Sequence, residues 1–251
     1  MSKAVVIHAL GGPEVLTYED HEVGRPGPGE LRVRNGAIGI NFIDVYQRTG
    51  TYKLALPFVA GSEGAGEVVE IGPGVTEFKV GDHVGYTGPV GAYAEKRLLP
   101  AARAVRLPPG ISDEVAAAVL LKGGTAQYLL FDTYAVQAGQ TILVHAAAGG
   151  VGSILTQWAT ALGVRVLAAA GSDEKVAMAK ASGAEFAFNY GTPDWVKAVR
   201  EATDGKGVDA VYDGVGKATF EGSLDCLKPR GMMVSYGSAS GAVSIANLGI
   251  L

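Results

Sequence analysis

The stretch TILVHAAAGGVGSILTQWATALG (Thr141–Gly163) decides the fold of the second half of the chain. It begins with a run of apolar residues, passes through a glycine-rich turn and ends in a helical pattern. In that last part apolar side chains recur at i, i+3, i+4, i+7, i+8 and i+11, the spacing of one helix face: Val151, Ile154, Leu155, Trp158, Ala159 and Leu162. Gly163 then stands where helices commonly end. The stretch therefore predicts a strand, a tight turn and a helix.

The turn itself matches a phosphate-binding pattern. Ala147–Gly152 reads AAGGVG, which is GxGxxG with alanine in place of the first glycine. In that pattern Gly149 lets the backbone approach a pyrophosphate, and Gly152 lets the helix pack closely on the strand. The first amides of the helix and the positive end of its dipole then face the phosphates. A glycine-rich corner without a ligand is the alternative. The strand before, the helix after and the further βα units favour dinucleotide binding by Ala148, Gly149, Gly150, Val151 and Gly152.

Composition and charge exclude several other classes of protein. The 251 residues are 48% hydrophobic and 18% charged, as expected of a soluble protein with a large core. The formal net charge is −4 with Lys and Arg scattered, which does not favour nucleic-acid binding. Cys226 is the only cysteine, so it cannot form an internal disulfide, and it is expected to be a small core residue. No signal peptide and no apolar run of about 18 residues is present, so a cytoplasmic location without a membrane span is expected.

The pattern changes near residue 110, which predicts two domains and an α/β fold. Before it, short apolar runs are cut by glycine and proline, as in a β-rich, barrel-like domain. After it, Ser112–Leu130 reads as two helices hinged at Gly123-Gly124. Strands and helices then alternate, which predicts a buried parallel sheet with helices on both faces. We place the domains at residues 1–122 and 123–251.

The second domain is expected to lack a C-terminal segment. Its pattern supplies five strands, whereas a complete doubly wound dinucleotide fold has six in the order 3-2-1-4-5-6. The chain stops at SIANLGIL (residues 244–251), an apolar tail without a terminating signal. Strand five is therefore expected to be an exposed edge.

The end of the second strand favours NADPH over NADH. An NAD site usually has Asp or Glu there for the ribose 2′-hydroxyl, but this strand ends in Ala170, Gly171 and Ser172. Lys175 could reach a 2′-phosphate, and Ser172 could donate a hydrogen bond to it. The alternative is a solvated surface lysine, and the neighbouring acids at 173 and 174 dilute the positive charge.

Four stretches carry a resemblance to a known family: GAIGINFIDVYQRTGTY (36–52), GSEGAGEVVEIG (61–72), LLKGGTAQYLL (120–130) and HAAAGGVG (145–152). Together they resemble the medium-chain dehydrogenase/reductase superfamily and, within it, quinone oxidoreductases of the zeta-crystallin type. The resemblance implies a GroES-like barrel domain, a Rossmann domain and an active site in the cleft between them.

The same resemblance implies a site without zinc. Zinc-dependent relatives have a histidine where this chain has Ser62, and they carry a four-cysteine loop that this chain lacks. The four histidines show no ligand spacing: His8, His21, His83 and His145. Without a Lewis acid, alcohol oxidation is not expected. His145 is expected to be a satisfied core residue.

The resemblance also implies the site residues of the first domain and of the helix that follows it. It places Asn41 beside the nicotinamide ribose and Thr125 near the nicotinamide amide. Tyr46 and Tyr52 would face the substrate, where a hydroxyl can donate to a developing oxyanion. Ordinary barrel packing with the hydroxyls in water is the alternative for both tyrosines. Glu63 is expected to be a structural hydrogen-bonding residue rather than an acid catalyst.

In the Rossmann domain the resemblance places Tyr190 near the adenosine end of the cofactor. It places Tyr236, Gly237 and Ser238, at the end of strand five, beneath the cofactor. A homodimer is implied as well. The absent sixth strand, which commonly pairs across the family's dimer, argues against a dimer for this chain.

These observations predict an NADPH-dependent quinone reductase that acts without zinc on a quinone or another electron-poor small molecule. An enone or enoyl reductase with the same fold and cofactor is one alternative. A non-catalytic NADPH-binding protein, structural or RNA-associated, is the other.

Overall fold

The computed structural model describes residues 2–192, 194–245 and 249. The chain divides into two compact units, Met1–Leu121 and Lys122–Leu251. Each unit encloses its own clusters of buried apolar side chains.

The first unit consists mainly of antiparallel strands, which confirms the predicted β-rich domain. The strands are β1 (Ser2–Ile7), β2 (Leu16–His21), β3 (Glu30–Gly39), β4 (Phe58–Val59), β5 (Glu63–Ile71), β6 (His83–Thr87), β7 (Lys96–Pro100) and β8 (Ala104–Arg106). They form a three-stranded sheet with the order β2-β1-β4 and a five-stranded sheet with the order β7-β3-β5-β6-β8. A helix, α1 (Phe42–Thr49), follows β3. Short 3₁₀ turns lie at Pro13–Val15 and Ala101–Arg103.

The second unit is a parallel sheet with helices between its strands, as predicted. The elements are β9 (Thr141–His145), α3 (Gly150–Ala161), β10 (Arg165–Ala170), α4 (Asp173–Ala181), β11 (Phe186–Asn189), α5 (Trp195–Ala202), β12 (Val208–Asp213), α6 (Phe220–Cys226) and β13 (Leu227–Ser235). The strand order is β11-β10-β9-β12-β13, which is the order 3-2-1-4-5 of the dinucleotide-binding fold.

Both faces of this sheet are buried, because alternate residues of each strand enter two different cores. In β9, Ile142 and Val144 belong to one buried cluster and Leu143 belongs to the other. In β10, Val166 and Leu167 divide in the same way. A strand that is covered on both sides needs an apolar residue at every position, which explains the continuous apolar runs of the sequence.

The helix before β9 corrects one prediction. Asp113–Tyr128 forms a single helix, α2, continued by a π-helical turn over Leu129–Thr133, so the predicted break at Gly123-Gly124 is wrong. Each glycine inside a helix costs about 1 kcal/mol relative to alanine. Burying Leu129 and Leu130, which are at most 1% exposed, is worth about 1.5–3 kcal/mol for each side chain. Burial at the end of the helix therefore outweighs the cost of the two glycines.

Within the described part of the chain, β13 lies at one end of the parallel sheet and pairs with β12. Cys226 is buried at the end of α6, as predicted, and burial raises the pKa of its thiol. No helix among the described residues is both long and apolar enough to cross a membrane.

Candidate active site

The glycine-rich turn joins the end of β9 to the start of α3. Gly149 is the N-cap residue of α3, and its amide donates to Ala146 O at 2.7 Å. The first turn of the helix contains Gly150, Val151 and Gly152, whose amides have no helical carbonyl before them. With the positive end of the helix dipole, these N–H groups can bind an anion.

Two glycines of the turn have different physical roles. A Cβ atom on Gly152 would lie 2.3 Å from Ala146 O and 2.8 Å from Ala147 Cα, so the fold requires glycine there. A Cβ atom on Gly149 would meet only Ala146, at 3.0 Å from its oxygen, and the backbone φ of −79° suits any residue. Gly152 therefore serves helix packing, whereas Gly149 leaves open the space in front of the helix.

A basic residue that the sequence analysis did not single out lies at the same place. A Cβ atom on Gly150 would be 2.7 Å from Cδ of Lys122, so the lysine stem passes beside the first turn of α3. Its position directly before Gly123-Gly124 in the quoted stretch LLKGGTAQYLL was the only signal in the sequence. A cation near the start of α3 adds to the attraction of this end for phosphate.

The carboxyl end of β10 brings four predicted residues together. Ser172 is the N-cap of α4, and its Oγ accepts from the amide of Lys175 at 3.3 Å, which leaves the hydroxyl proton for another acceptor. Lys175 is exposed one turn into the helix. The hydroxyl of Tyr190 lies 3.0 Å from the place where a Cβ atom on Gly171 would stand. Burial, and then the charge of Asp213, raise the pKa of Tyr190.

Asp173, the first acidic residue after Ser172, accepts a hydrogen bond from a neighbouring side chain. Asp173 Oδ1 accepts from Asn189 Nδ2 at 2.8 Å. The residues that end the strand and begin the turn carry no carboxylate, because they are Ala170, Gly171 and Ser172. The corner therefore offers a hydroxyl and an ammonium group to an anion, with the exposed carboxylates of Asp173 and Glu174 in the same helical turn.

Tyr236, Gly237 and Ser238 follow β13 and lie beside the residues that follow β12. The amide of Tyr236 donates to Asp213 O at 2.9 Å. A Cβ atom on Gly237 would be 2.7 Å from Gly214 O, so the two backbones touch and only glycine fits. Burial raises the pKa of the Tyr236 phenol.

The two central strands end in a buried polar group that the sequence analysis missed. Tyr212 pairs with Val144 in the sheet, so the next residues, Asp213 and His145, are neighbours. Asp213 Oδ1 accepts from the amides of Val215 at 2.7 Å and Gly216 at 3.0 Å. The two strands flank the point where the strand order reverses, and ligands of such sheets bind outside that point. The only signal in the sequence was an aspartate that ends a buried strand and precedes glycines, in VYDGVG.

The other carboxylate oxygen of Asp213 binds two hydroxyl groups. Oδ2 accepts from Thr219 Oγ1 at 2.7 Å and from Ser223 Oγ at 3.1 Å. His145 Nε2 lies 2.9 Å from the same Ser223 Oγ. His145 is fully buried, as predicted, but it is not fully satisfied, because Nδ1 has no hydrogen-bond partner among the described residues.

Asn41 of the first unit is held by a buried carboxylate. It begins α1 and forms a capping box with Asp44, whose Oδ2 accepts from the Asn41 amide at 2.9 Å. Its side-chain Nδ2 donates to Glu63 Oε2 at 2.7 Å. Glu63 is fully buried, and its Oε1 accepts from the amide of Leu121 at 2.7 Å. Both oxygens of Glu63 are thus used to hold other groups.

Tyr46 and Tyr52 form an aromatic cluster with Phe42. The ring centroids of the two tyrosines are 5.1 Å apart, and those of Phe42 and Tyr46 are also 5.1 Å apart. Phe42 and Tyr52 are about half exposed, at 51% and 49%. Thr125, the remaining predicted residue, lies half-buried on α2 in the second unit.

Ser62 is buried beside Gln47, with its Oγ 3.3 Å from Gln47 Nε2. Among the residues described here, no three His, Cys, Asp or Glu side chains are grouped so that they could hold a metal ion.

Comparison with known proteins agrees with this two-unit architecture. Residues 27–109 match the family model described as alcohol dehydrogenase GroES-like domain. Residues 150–251 match the model described as zinc-binding dehydrogenase. A GroES-like unit followed by a parallel dinucleotide-binding sheet defines the class: the chain is a medium-chain dehydrogenase/reductase.

Similarity to individual proteins shows which family within this superfamily the chain belongs to. A quinone oxidoreductase of Pseudomonas aeruginosa is 54% identical, over 100% of this chain and 78% of the relative. A 2-haloacrylate reductase of Burkholderia sp. is 48% identical, over 96% of this chain and 74% of the relative. The solved structure of Escherichia coli quinone oxidoreductase complexed with NADPH is 47% identical, with a TM-score of 0.96 over 99% of this chain and 77% of that chain. The chain belongs to the quinone oxidoreductase family.

The buried imidazole predicts a loss of stability in mild acid. Burial lowers the pKa of His145 to about 4, against a weaker opposing effect of Asp213. The rings of Tyr190 and Trp195 also lie beside the imidazole, with centroids 6.2 Å and 5.2 Å away. Between pH 6.5 and 4 the unfolded chain binds a proton at this residue and the folded chain does not. The folded state should therefore lose roughly 3 kcal/mol across that window.

Urea unfolding at pH 7.5, 6, 5 and 4.5 measures how much of the free energy of unfolding is lost through His145 as the pH falls. The difference in unfolding free energy between the wild type and His145→Gln should shrink or change sign in favour of the variant as the pH falls. A difference that stays constant from pH 7.5 to 4.5 would show that His145 does not contribute to the loss of stability in acid.

Proposed function

We propose that this chain is an NADPH-dependent quinone reductase that acts without zinc. The observation that carries the proposal is the open N-terminus of α3 behind Gly149, at the end of the first strand of a dinucleotide-binding sheet. Relatives named quinone oxidoreductase, one of them solved with NADPH, support the same function. Ser62 and the single cysteine support a site without zinc.

The second unit would bind the cofactor through three groups of atoms. The first amides of α3 would bind the pyrophosphate, with Lys122 close by. Ser172 and Lys175 would bind the 2′-phosphate, since a hydroxyl and an ammonium group suit that anion and no carboxylate ends β10. Tyr190 would line the adenosine end beside Gly171. When bound, NADPH supplies the hydride for reduction, and the protein supplies position and electrostatics.

The first unit would supply the polar and aromatic groups for the acceptor. The half-exposed rings of Phe42 and Tyr52, with the partly buried ring of Tyr46 between them, offer an aromatic surface, which suits the ring of a quinone. The tyrosine hydroxyls can donate to an oxygen that gains negative charge during reduction. Asn41, which Glu63 holds in one orientation, would bind the ribose next to the nicotinamide.

A second candidate function is the reduction of an activated carbon–carbon double bond. The 48% identity to a 2-haloacrylate reductase favours it specifically. The cofactor and the hydride donor would be the same, so the two functions differ only in the acceptor. Turnover of 1,4-benzoquinone compared with that of 2-chloroacrylate and a simple enone distinguishes them. NADPH binding without turnover of any acceptor would instead indicate a non-catalytic NADPH-binding protein.

Replacing Gly149 with valine should abolish binding of both NADPH and NADH. The backbone φ permits the side chain, but the new methyl groups occupy the space in front of the α3 amides. Losing two charge-assisted hydrogen bonds corresponds to a rise in Kd of at least about 100-fold, which nicotinamide fluorescence measures. Gly24→Val is the control, because its Cβ would meet no atom within 4 Å. Retained affinity in Gly149→Val would disprove the phosphate-binding role of the turn.

Replacing Lys175 with glutamate should weaken NADPH binding and spare NADH, because only NADPH carries the 2′-phosphate. Removing one charged hydrogen bond and introducing a repelling charge should raise the Kd for NADPH about 10- to 100-fold. Lys180→Glu, an equal change of charge at the exposed last turn of the same helix, should leave both affinities within about twofold. Equal loss of both cofactors in Lys175→Glu contradicts the assignment.

The double variant Tyr46→Phe/Tyr52→Phe should lower kcat with 1,4-benzoquinone by about 10-fold and leave the Kd for NADPH unchanged. It keeps the aromatic surface and removes only the two hydrogen-bond donors. Tyr18→Phe, at another exposed tyrosine of the first unit, is the control. Unchanged turnover in the double variant would mean that the tyrosines only pack together.

A further inference from the structure

Four polar side chains at the carboxyl ends of β9 and β12 form a closed group, here called the Asp213 cluster: His145, Asp213, Thr219 and Ser223. Each is at most 2% exposed. The Asp213 carboxylate accepts four hydrogen bonds, two from backbone amides and two from hydroxyl groups. A buried carboxylate needs such partners, because removing it from water costs several kcal/mol if its oxygens are unpaired.

The geometry settles which way the protons point. Ser223 Oγ lies 3.1 Å from Asp213 Oδ2, 2.8 Å from Thr219 O and 2.9 Å from His145 Nε2. The first two atoms can only accept, and the hydroxyl carries one proton. The Ser223 proton therefore points towards these two acceptors and is shared between them, and His145 Nε2 donates to Ser223. Because burial lowers the pKa of His145, the imidazole is neutral near pH 7, so it is the Nε2–H tautomer and its Nδ1 is an acceptor.

This acceptor makes the cluster costly. A buried polar atom without a partner destabilises the folded state by about 1–3 kcal/mol, and Nδ1 has none among the described residues. The ring also touches Trp195 edge-on, with centroids 5.2 Å apart, so an apolar side chain would pack there without that cost. Stability alone therefore does not explain a histidine at the end of β9.

The position of the cluster indicates what it supports. Through Val215 and Gly216, the Asp213 carboxylate fixes the turn after β12, where Gly216 has a φ of +86°. The segment after β13 rests on that turn. Its bonds to the turn are Tyr236 N to Asp213 O at 2.9 Å, Ala239 N to Gly214 O at 3.3 Å and Ser240 N to Val215 O at 2.8 Å.

We propose that the Asp213 cluster is a positioning device for the nicotinamide half of the cofactor, acting through the Gly214–Gly216 turn and the Tyr236–Ser238 segment. The proposal rests on the proposed function. A 2′-phosphate at Ser172 and a pyrophosphate at α3 place the adenosine half on the β10 side of the strand-order reversal. The other half then lies on the side of β12 and β13, where these two loops are.

The test compares two ligands and one reaction. Asp213→Asn removes the charge with little change in size, and Ser223→Ala removes the link to His145. Both variants should lower kcat with 1,4-benzoquinone at least 10-fold and raise the Kd for NADPH. The Kd for adenosine 2′,5′-bisphosphate, which carries only the adenosine end, should stay within twofold. His145→Gln places an amide donor near Ser223, so it should retain more activity than His145→Leu, which has no donor.

Asp209→Asn is the matched control. Asp209 is the other aspartate of β12 and lies at the opposite end of the strand from Asp213. There it accepts from Thr141 N at 2.8 Å and pairs with Lys228. Its replacement should lower stability and leave kcat and both affinities unchanged.

Three outcomes would overturn the proposal. If Asp213→Asn and Ser223→Ala lower the affinities for NADPH and for adenosine 2′,5′-bisphosphate equally, the cluster supports only the general fold. If kcat and the NADPH affinity are unchanged, the two loops do not need the cluster. A wild-type chain that fails to bind NADPH would overturn the proposed function as well. A wild type that binds NADPH with variants that match it would overturn the positioning role alone.

Discussion

The close approach of α3 to the turn after β9 is the contact on which the nucleotide site depends. Gly152 lies so near Ala146 that any side chain would collide with a backbone oxygen at 2.3 Å. This contact sets the helix directly against the end of the strand, with its first amides facing away from the core. An anion site made of backbone atoms has no side chain to adjust, so its geometry depends on that one packing contact.

Electrostatics at the same edge of the sheet divide into an exposed and a buried part. The exposed part contains the groups suited to an anion, namely the α3 amides, Ser172 and Lys175, beside the exposed carboxylates of Asp173 and Glu174. The buried part contains one carboxylate, Asp213, whose four hydrogen bonds keep its charge inside the turn after β12. This separation allows a negative residue to lie under a surface suited to phosphate, because donors inside the fold already compensate its charge.

The helices and strands of the second unit were predictable from local pattern, with one instructive error. The expected break at Gly123-Gly124 followed from helix propensity, and the structure has one continuous helix, α2. Propensity counts only neighbours along the chain. The buried side chains of Leu129 and Leu130 pack against strands that come later in the sequence, and no window around the two glycines contains that information.

The sequence by itself determined the order of the βα units, the glycine-rich turn and the neutral end of β10, because periodicity, small residues and a missing carboxylate are local properties. Only the tertiary structure decided that Asp213 lies beside His145, which is 68 positions earlier in the chain. It also decided that Glu63 holds Asn41 and that the ring of Tyr46 packs at a tilt against that of Tyr52. Such contacts depend on strand order and register, and these are fixed by the packing of the whole sheet rather than by the residues that meet there.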